Sequence, residues 1–98
     1  MISNVDLINA FISGKTAHNG SMRTDGTKLF SYATCIAQKT SKGILLNVCK
    51  YSTTTSKQQT QTRCELERRG CNYVEVDGDG YIRRGTSDLT RYVKKEAA

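Results

Sequence analysis

The sequence predicts an α+β domain, an antiparallel sheet with helices packed on it, in the order α-β-β-β-α-β-β-α. Three observations carry this. Val5, Ile8, Phe11 and Ile12 recur at helical spacing near the start. Residues 29–37 alternate between two faces, directly after an Asp25-Gly26 pair that signals a tight hairpin. Length sets the scale, because 98 residues can bury one modest core. We therefore expect a single domain over 1–98.

The first helix is expected over 3–13. Ser3 is a good N-cap, Asp6 stands where a capping box places an acid, and Gly14 is a natural stop. Residues 15–20 read as a loop that contains the only histidine, His18. Ser21–Thr24 and Thr27–Lys39 read as strands joined at Asp25-Gly26. In the second strand, Phe30, Tyr32, Thr34 and Ile36 would share one face. Leu29, Ser31, Ala33, Cys35 and Ala37 would share the other.

A turn over 40–43 returns the chain as a strand over 44–52. The expected cross-strand neighbours are Cys35 with Cys49, Ile36 with Val48, and Thr34 with Lys50. Thr53 to Ser56 would form a turn and a cap, with Thr55 or Ser56 at the N-cap. A polar helix then runs over 57–69 and stops at Gly70, docking through Cys64 and Leu66 with Thr60 and Thr62. Residues 72–76 and 81–84 read as a hairpin around Asp77-Gly78-Asp79-Gly80. That run lacks the ligand spacing of a calcium loop, since Tyr81 and Asp88 stand where oxygen ligands and a glutamate are needed. A last helix is expected over 88–96, capped by Thr86 or Ser87, with Leu89, Tyr92 and Val93 as its apolar stripe.

Charge is the main functional signal. The formal net charge is +6, and its distribution is uneven. Between Asp6 and Glu65 the only acid is Asp25, against Lys15, Arg23, Lys28, Lys39, Lys42, Lys50, Lys57 and Arg63. Such a surface favours a polyanion, DNA or RNA, or an acidic protein.

Other classes find little support. The four cysteines form no C-x-x-C pair and have one histidine between them, so no metal site is expected, and their simplest role is as small apolar residues. No cofactor is implied. No phosphate-cradling loop, H-E-x-x-H or nucleophile elbow is present, so the chain does not read as an enzyme. No apolar run reaches the ~18 residues of a membrane span, and Met1-Ile2-Ser3-Asn4 does not open a signal peptide. The expected compartment is a cytoplasm.

The stretch Leu45 to Lys57 concentrates candidate contact groups. Lys50, Tyr51 and Lys57 lie within it, and Thr34 is the expected neighbour of Lys50 across the sheet. Gln61 and Arg68 extend the Lys57 side of the following helix. Tyr32, Tyr51, Tyr73 or Phe30 on a sheet could stack unpaired bases. The helix, three strands, helix order is also similar to double-stranded RNA-binding domains, although Ser56-Lys57-Gln58-Gln59 lacks the basic start of their second helix.

Ser31 to Ala37 reads S-Y-A-T-C-I-A, and Asn47 to Gln58 reads N-V-C-K-Y-S-T-T-T-S-K-Q. These stretches resemble a family of short uncharacterised phage and mobile-element proteins with the pattern S-Y-N-T-x-I-A followed by N-x-x-K-Y-S-x-T-T-S-K. Ala33 departs from the pattern's asparagine. The resemblance covers roughly a third of the chain and implies a phage-type accessory protein in the cytoplasm of a host cell. Two functions fit that origin. The first is nucleic-acid binding, to a single-stranded or structured target. The alternative is a host-directed inhibitor, such as an anti-defence (anti-CRISPR-like) protein, that contacts an acidic or nucleic-acid-processing host protein.

Overall fold

The computed structural model describes residues 2–86 and 88–92. Its core is a six-stranded sheet in strictly sequential order, covered on one face by two helices and on the other by the C-terminal segment. Helix α1 spans Asn4–Ile12, β1 Ala17–His18, β2 Met22–Thr24, β3 Lys28–Ser31, β4 Thr34–Thr40 and β5 Gly43–Asn47. Helix α2 spans Thr53–Arg68 and β6 Tyr73–Val76. Short 3-10 turns follow at Gly78–Gly80 and Leu89–Tyr92. The α+β class holds, but the order differs: five strands precede α2 and one follows it.

Ser3 caps α1 as expected, its hydroxyl accepting from the Asp6 N–H at 3.1 Å. The helix buries Leu7, Ile8 and Phe11, while Val5 faces solvent. Asp25 does open the β2–β3 turn. Its carboxylate accepts from the N–H groups of Lys28 at 2.8 Å and Thr27 at 2.9 Å, which hold its carboxyl below the usual range. The central residues are therefore Gly26 and Thr27, one position later than Asp-Gly. Gly26 has φ +93°, and a Cβ there would stand 2.6 Å from the Gly14 carbonyl oxygen. That close approach seats the turn under the end of α1.

The strand expected over 27–39 is two strands. Ser31 pairs with Thr34 around a two-residue turn at Tyr32 and Ala33. A bulge follows, because Leu29 faces Ala37 but Phe30 faces Cys35, leaving Ile36 as the extra residue. The bulge reassigns the faces. Leu29, Ile36 and Ala37 join Met22, Ile44 and Leu46 against α1 and Leu66 of α2. Phe30 and Cys35 join Leu45, Cys49, Val76, Ile82 and Leu89 on the opposite side. Each fully buried large side chain contributes about 1.5–3 kcal/mol of apolar burial.

The next hairpin pairs Ala37 with Leu46 and Thr40 with Gly43, one residue out of the expected register. Cys35, Ile36 and Thr34 therefore do not face Cys49, Val48 and Lys50. Strand β5 ends at Asn47, before Lys50. Helix α2 begins earlier than expected, at Thr53, because Ser52 is the cap. It docks through Thr55, Gln58, Gln59, Thr62, Glu65 and Leu66, and Cys64 is exposed. A polar face can be buried here because each group has a partner: Thr55 and Gln58 meet Ser31, Gln59 donates to the Asn47 carbonyl, Thr62 donates to the Gln58 carbonyl within the helix, and Glu65 accepts from Asn9 of α1.

The expected C-terminal hairpin is absent among the described residues. β6 runs parallel to β5, with Ile44 opposite Tyr73 and Asn47 opposite Val76. α2 supplies the crossover that a parallel pair requires. Residues 81–84 form no strand and instead cover the second face through Ile82. Gln38, buried in β4, fastens this cover by accepting from the Leu89 N–H at 2.7 Å and donating to Asp88 at 3.2 Å. Of the expected last helix, Leu89–Tyr92 is a 3-10 turn, and Ser87 and residues 93–96 lie outside the described residues. No helix of the described residues is long and apolar enough to cross a membrane.

Candidate nucleic-acid interface

The site is built where two chain reversals meet, the β3–β4 turn and the passage from β5 into α2. Tyr32 is the first central residue of that turn and has φ +54°, the only positive φ at a described non-glycine residue. A positive φ at the first position but not the second matches a II′ hairpin turn, where glycine is preferred. A side chain in this region is strained by about 1–2 kcal/mol. The surroundings hold it there. The Tyr32 N–H donates to the Ser21 carbonyl at 2.8 Å. The hydroxyl of buried Ser31, one residue back, lies 3.0 Å from the Thr55 hydroxyl and also donates to Gln58. Gln58 in turn donates to the Ser21 hydroxyl at 2.8 Å. The fixed backbone leaves the Tyr32 ring 58% exposed.

The β5–α2 passage is equally fixed. Asn47, fully buried, donates to the Cys35 carbonyl at 3.1 Å and to the Tyr51 hydroxyl at 2.9 Å. Gln59 reaches back from α2 to donate to the carbonyls of Asn47 at 2.7 Å and Cys49 at 2.9 Å. Tyr51 donates to the Ile82 carbonyl at 2.5 Å. Burial pushes its phenol up to about 12, so the hydroxyl remains a donor at neutral pH. Ser52 accepts from the Thr55 N–H at 3.1 Å, and no acid stands in the first turn of α2.

Between these reversals lies a hollow lined by Ser31, Tyr32, Thr34, Tyr51, Ser52, Thr55 and Arg84. No carboxylate is among the described residues that line it. The Arg84 guanidinium stands 6.0 Å from the centre of the Tyr51 ring. The Tyr51 ring is tilted against that of Tyr81, centroids 6.3 Å apart, and Tyr81 is 58% exposed. Tyr32 also lines a second hollow, with Asn4, Asn19, Gly20 and Ser21 among others. Aromatic rings, hydroxyls and a guanidinium thus share one end of the molecule. These are the groups that hold bases and phosphates.

The structure brings Thr34 and Tyr51 together in this hollow. Thr34 is buried and forms part of its floor. Lys50, exposed, directly precedes Tyr51. Lys57 is exposed on α2, beyond the buried Thr55. Neither lysine enters an ion pair among the described residues. Gln61 and Arg68 are not part of the hollow. Gln61 accepts from the Asn4 side chain at 3.4 Å. Arg68 lies about 16 Å along the helix from Lys57 at a rise of about 1.5 Å per residue. Its guanidinium is held by Glu65 at 2.6 Å, which in turn lowers the Glu65 carboxyl, with help from Asn9.

Of the rings expected to stack, Phe30 is buried, with the Arg23 guanidinium 4.0 Å above it, and Tyr73 binds Glu67 through its hydroxyl at 2.6 Å. Arg84 and Tyr81 are not legible as candidates, because the sequence pattern places both in a strand that does not form. Comparison with protein-family models, with curated proteins and with solved structures yields no match.

Proposed function

We propose that the protein binds nucleic acid through the face bearing Tyr32, Tyr51, Arg84 and Lys50. The observation that carries this reading is the composition of the hollow between Tyr32 and the start of α2. It pairs an exposed ring and a guanidinium with hydroxyl groups, without a carboxylate. Arg84, Lys50 and Lys57 supply cations for phosphates, and the acid-free first turn of α2 adds a favourable dipole. The net charge of +6 gives long-range attraction to a polyanion. The accessory-protein origin implied by the sequence resemblance accords with such a role.

Fluorescence anisotropy with labelled DNA and RNA over a salt series tests it. The expected result is binding whose logarithm falls linearly with the logarithm of salt concentration. Absence of binding to any polynucleotide at low salt overturns the reading. The inhibitor of a host protein then becomes the reading to pursue, by recovery of one host complex from nuclease-treated lysate.

A further inference from the structure

The same face narrows the class of nucleic acid, and this step rests on the nucleic-acid reading above. We infer that the ligand is a single strand, with one unpaired base stacked on the Tyr32 ring and its backbone passing over the Arg84 hollow. Tyr32 stands at a hairpin tip, exposed, in a backbone conformation that disfavours any side chain but is fixed by Ser21, Ser31, Thr55 and Gln58. Strain that the surroundings over-determine gathers where a side chain must be presented. What is presented is a flat ring on a residue that lines two hollows. In a duplex the base faces are hidden by stacking, so a ring at a tip meets only backbone. In a single strand the face of each base is available.

The exposed side of α2 argues in the same direction. A helix that enters the major groove brings uncommitted basic or amide side chains. Here Arg63 is paired with Glu75 at 3.0 Å and Arg68 with Glu65 at 2.6 Å, while Glu67 receives the Tyr73 hydroxyl. Two of the helix's three cations, Arg63 and Arg68, are thus committed to the protein's own acids, and Lys57, near the helix start, has no ion pair among the described residues. Among the described residues, the cations without ion pairs near the aromatic end are Lys50, Lys57 and Arg84, and Tyr51, which follows Lys50, shares its hollow with Tyr32 and Arg84. Charge complementarity and ring exposure coincide at that end.

The test compares four ligands at one salt concentration by anisotropy: a mixed-sequence DNA single strand, its RNA counterpart, the DNA duplex, and an abasic strand of equal length. The single strands are expected to bind about 10- to 100-fold more tightly than the duplex or the abasic strand, the scale of one or two stacked bases. Tyr32→Gly should bring the single strand down to the abasic level, and Tyr32→Phe should retain tight binding. Glycine suits the Tyr32 backbone, so the variant keeps its fold, which far-UV circular dichroism verifies. Equal or tighter duplex binding with a steep salt dependence overturns this inference and leaves the broader reading standing. Unchanged binding by Tyr32→Gly also overturns it. No binding to any of the four removes both.

Discussion

The Tyr51 hydroxyl donates to the backbone carbonyl of Ile82 at 2.5 Å. The same oxygen accepts from Asn47 at 2.9 Å, so one phenol joins the end of β5 to the segment that covers the second face of the sheet. Tyr51→Phe keeps the ring and removes both bonds. It leaves the carbonyl of a buried residue without that partner. A loss of about 1–3 kcal/mol is expected from urea unfolding. Amide exchange around Ile82 should quicken more than in α1. An unchanged unfolding midpoint would show that the cover is held elsewhere.

The buried proton donors on this face predict a weakening at high pH. Burial pushes the Tyr51 phenol from its ordinary 10.0 to about 12, and the Cys35 thiol from 9.0 to about 11. In each case the folded protein keeps a proton that the unfolded chain releases at lower pH. The associated stability is therefore complete below the ordinary values and is lost as pH rises through the folded ones. Urea midpoints should decline from just above pH 9.0 towards about 12. The combined variant Cys35→Ala, Tyr51→Phe should show a flatter decline over the same window. A wild-type midpoint that rises across it would contradict both assignments.

What the sequence made legible was local. Ser3 and Gly14 bound α1, and Asp25 opens the β2–β3 turn, because each rests on contacts within a few residues. Two kinds of error followed from long-range choices. Tyr32 and Ala33 carry no turn signature, since glycine is what a positive φ at the first position calls for. A strand read straight through them puts Cys35 and Ile36 on the wrong faces, while the bulge returns Ala37 to the face of Leu29, where it is expected. The β5–β6 pairing is parallel and joins segments separated by all of α2, so no local pattern announces it.

The hydroxyl run before α2 signals a cap, but its pattern points to Thr55 or Ser56, whereas the cap is Ser52. Thr55 is buried against Ser31, and that contact is invisible without the fold. The same limit applies to the candidate site. Lys50 and Tyr51 stand out within one stretch of sequence, and Thr34 as its expected cross-strand neighbour. Thr34 and Tyr51 do share a hollow, although not through the pairing that suggested it. Arg84 and Tyr81 reach it only because the C-terminal segment folds back over the sheet.

Tyr32 supplies a stability prediction that is independent of ligand. A side chain at φ +54° costs about 1–2 kcal/mol relative to glycine in the folded state. Glycine gives back about 0.5–1 kcal/mol through the greater freedom of the unfolded chain. Tyr32→Gly should therefore leave stability equal or raise it by up to about 1.5 kcal/mol. Tyr32→Val should lower it, because β-branched residues tolerate positive φ worst. Thermal melts of the two variants under one condition decide the matter. A valine variant as stable as the glycine variant would mean that the turn relaxes and that the strain is not held.

Lys50 and Lys57 separate binding from folding. Both are exposed, and neither has an ion pair among the described residues. Replacing both with glutamine should change stability by no more than about 0.5 kcal/mol. If each lysine neutralises one phosphate, the slope of log affinity against log salt should fall by about 2 in the double variant. Arg68 provides the contrast, since its guanidinium is bound by Glu65 and lies well along α2 from the hollow. Arg68→Gln should leave the slope nearly unchanged and cost a little stability instead. If Arg68→Gln reduces the slope as much as the lysine pair does, the polynucleotide runs along the length of α2, and the contact surface is the helix rather than its start.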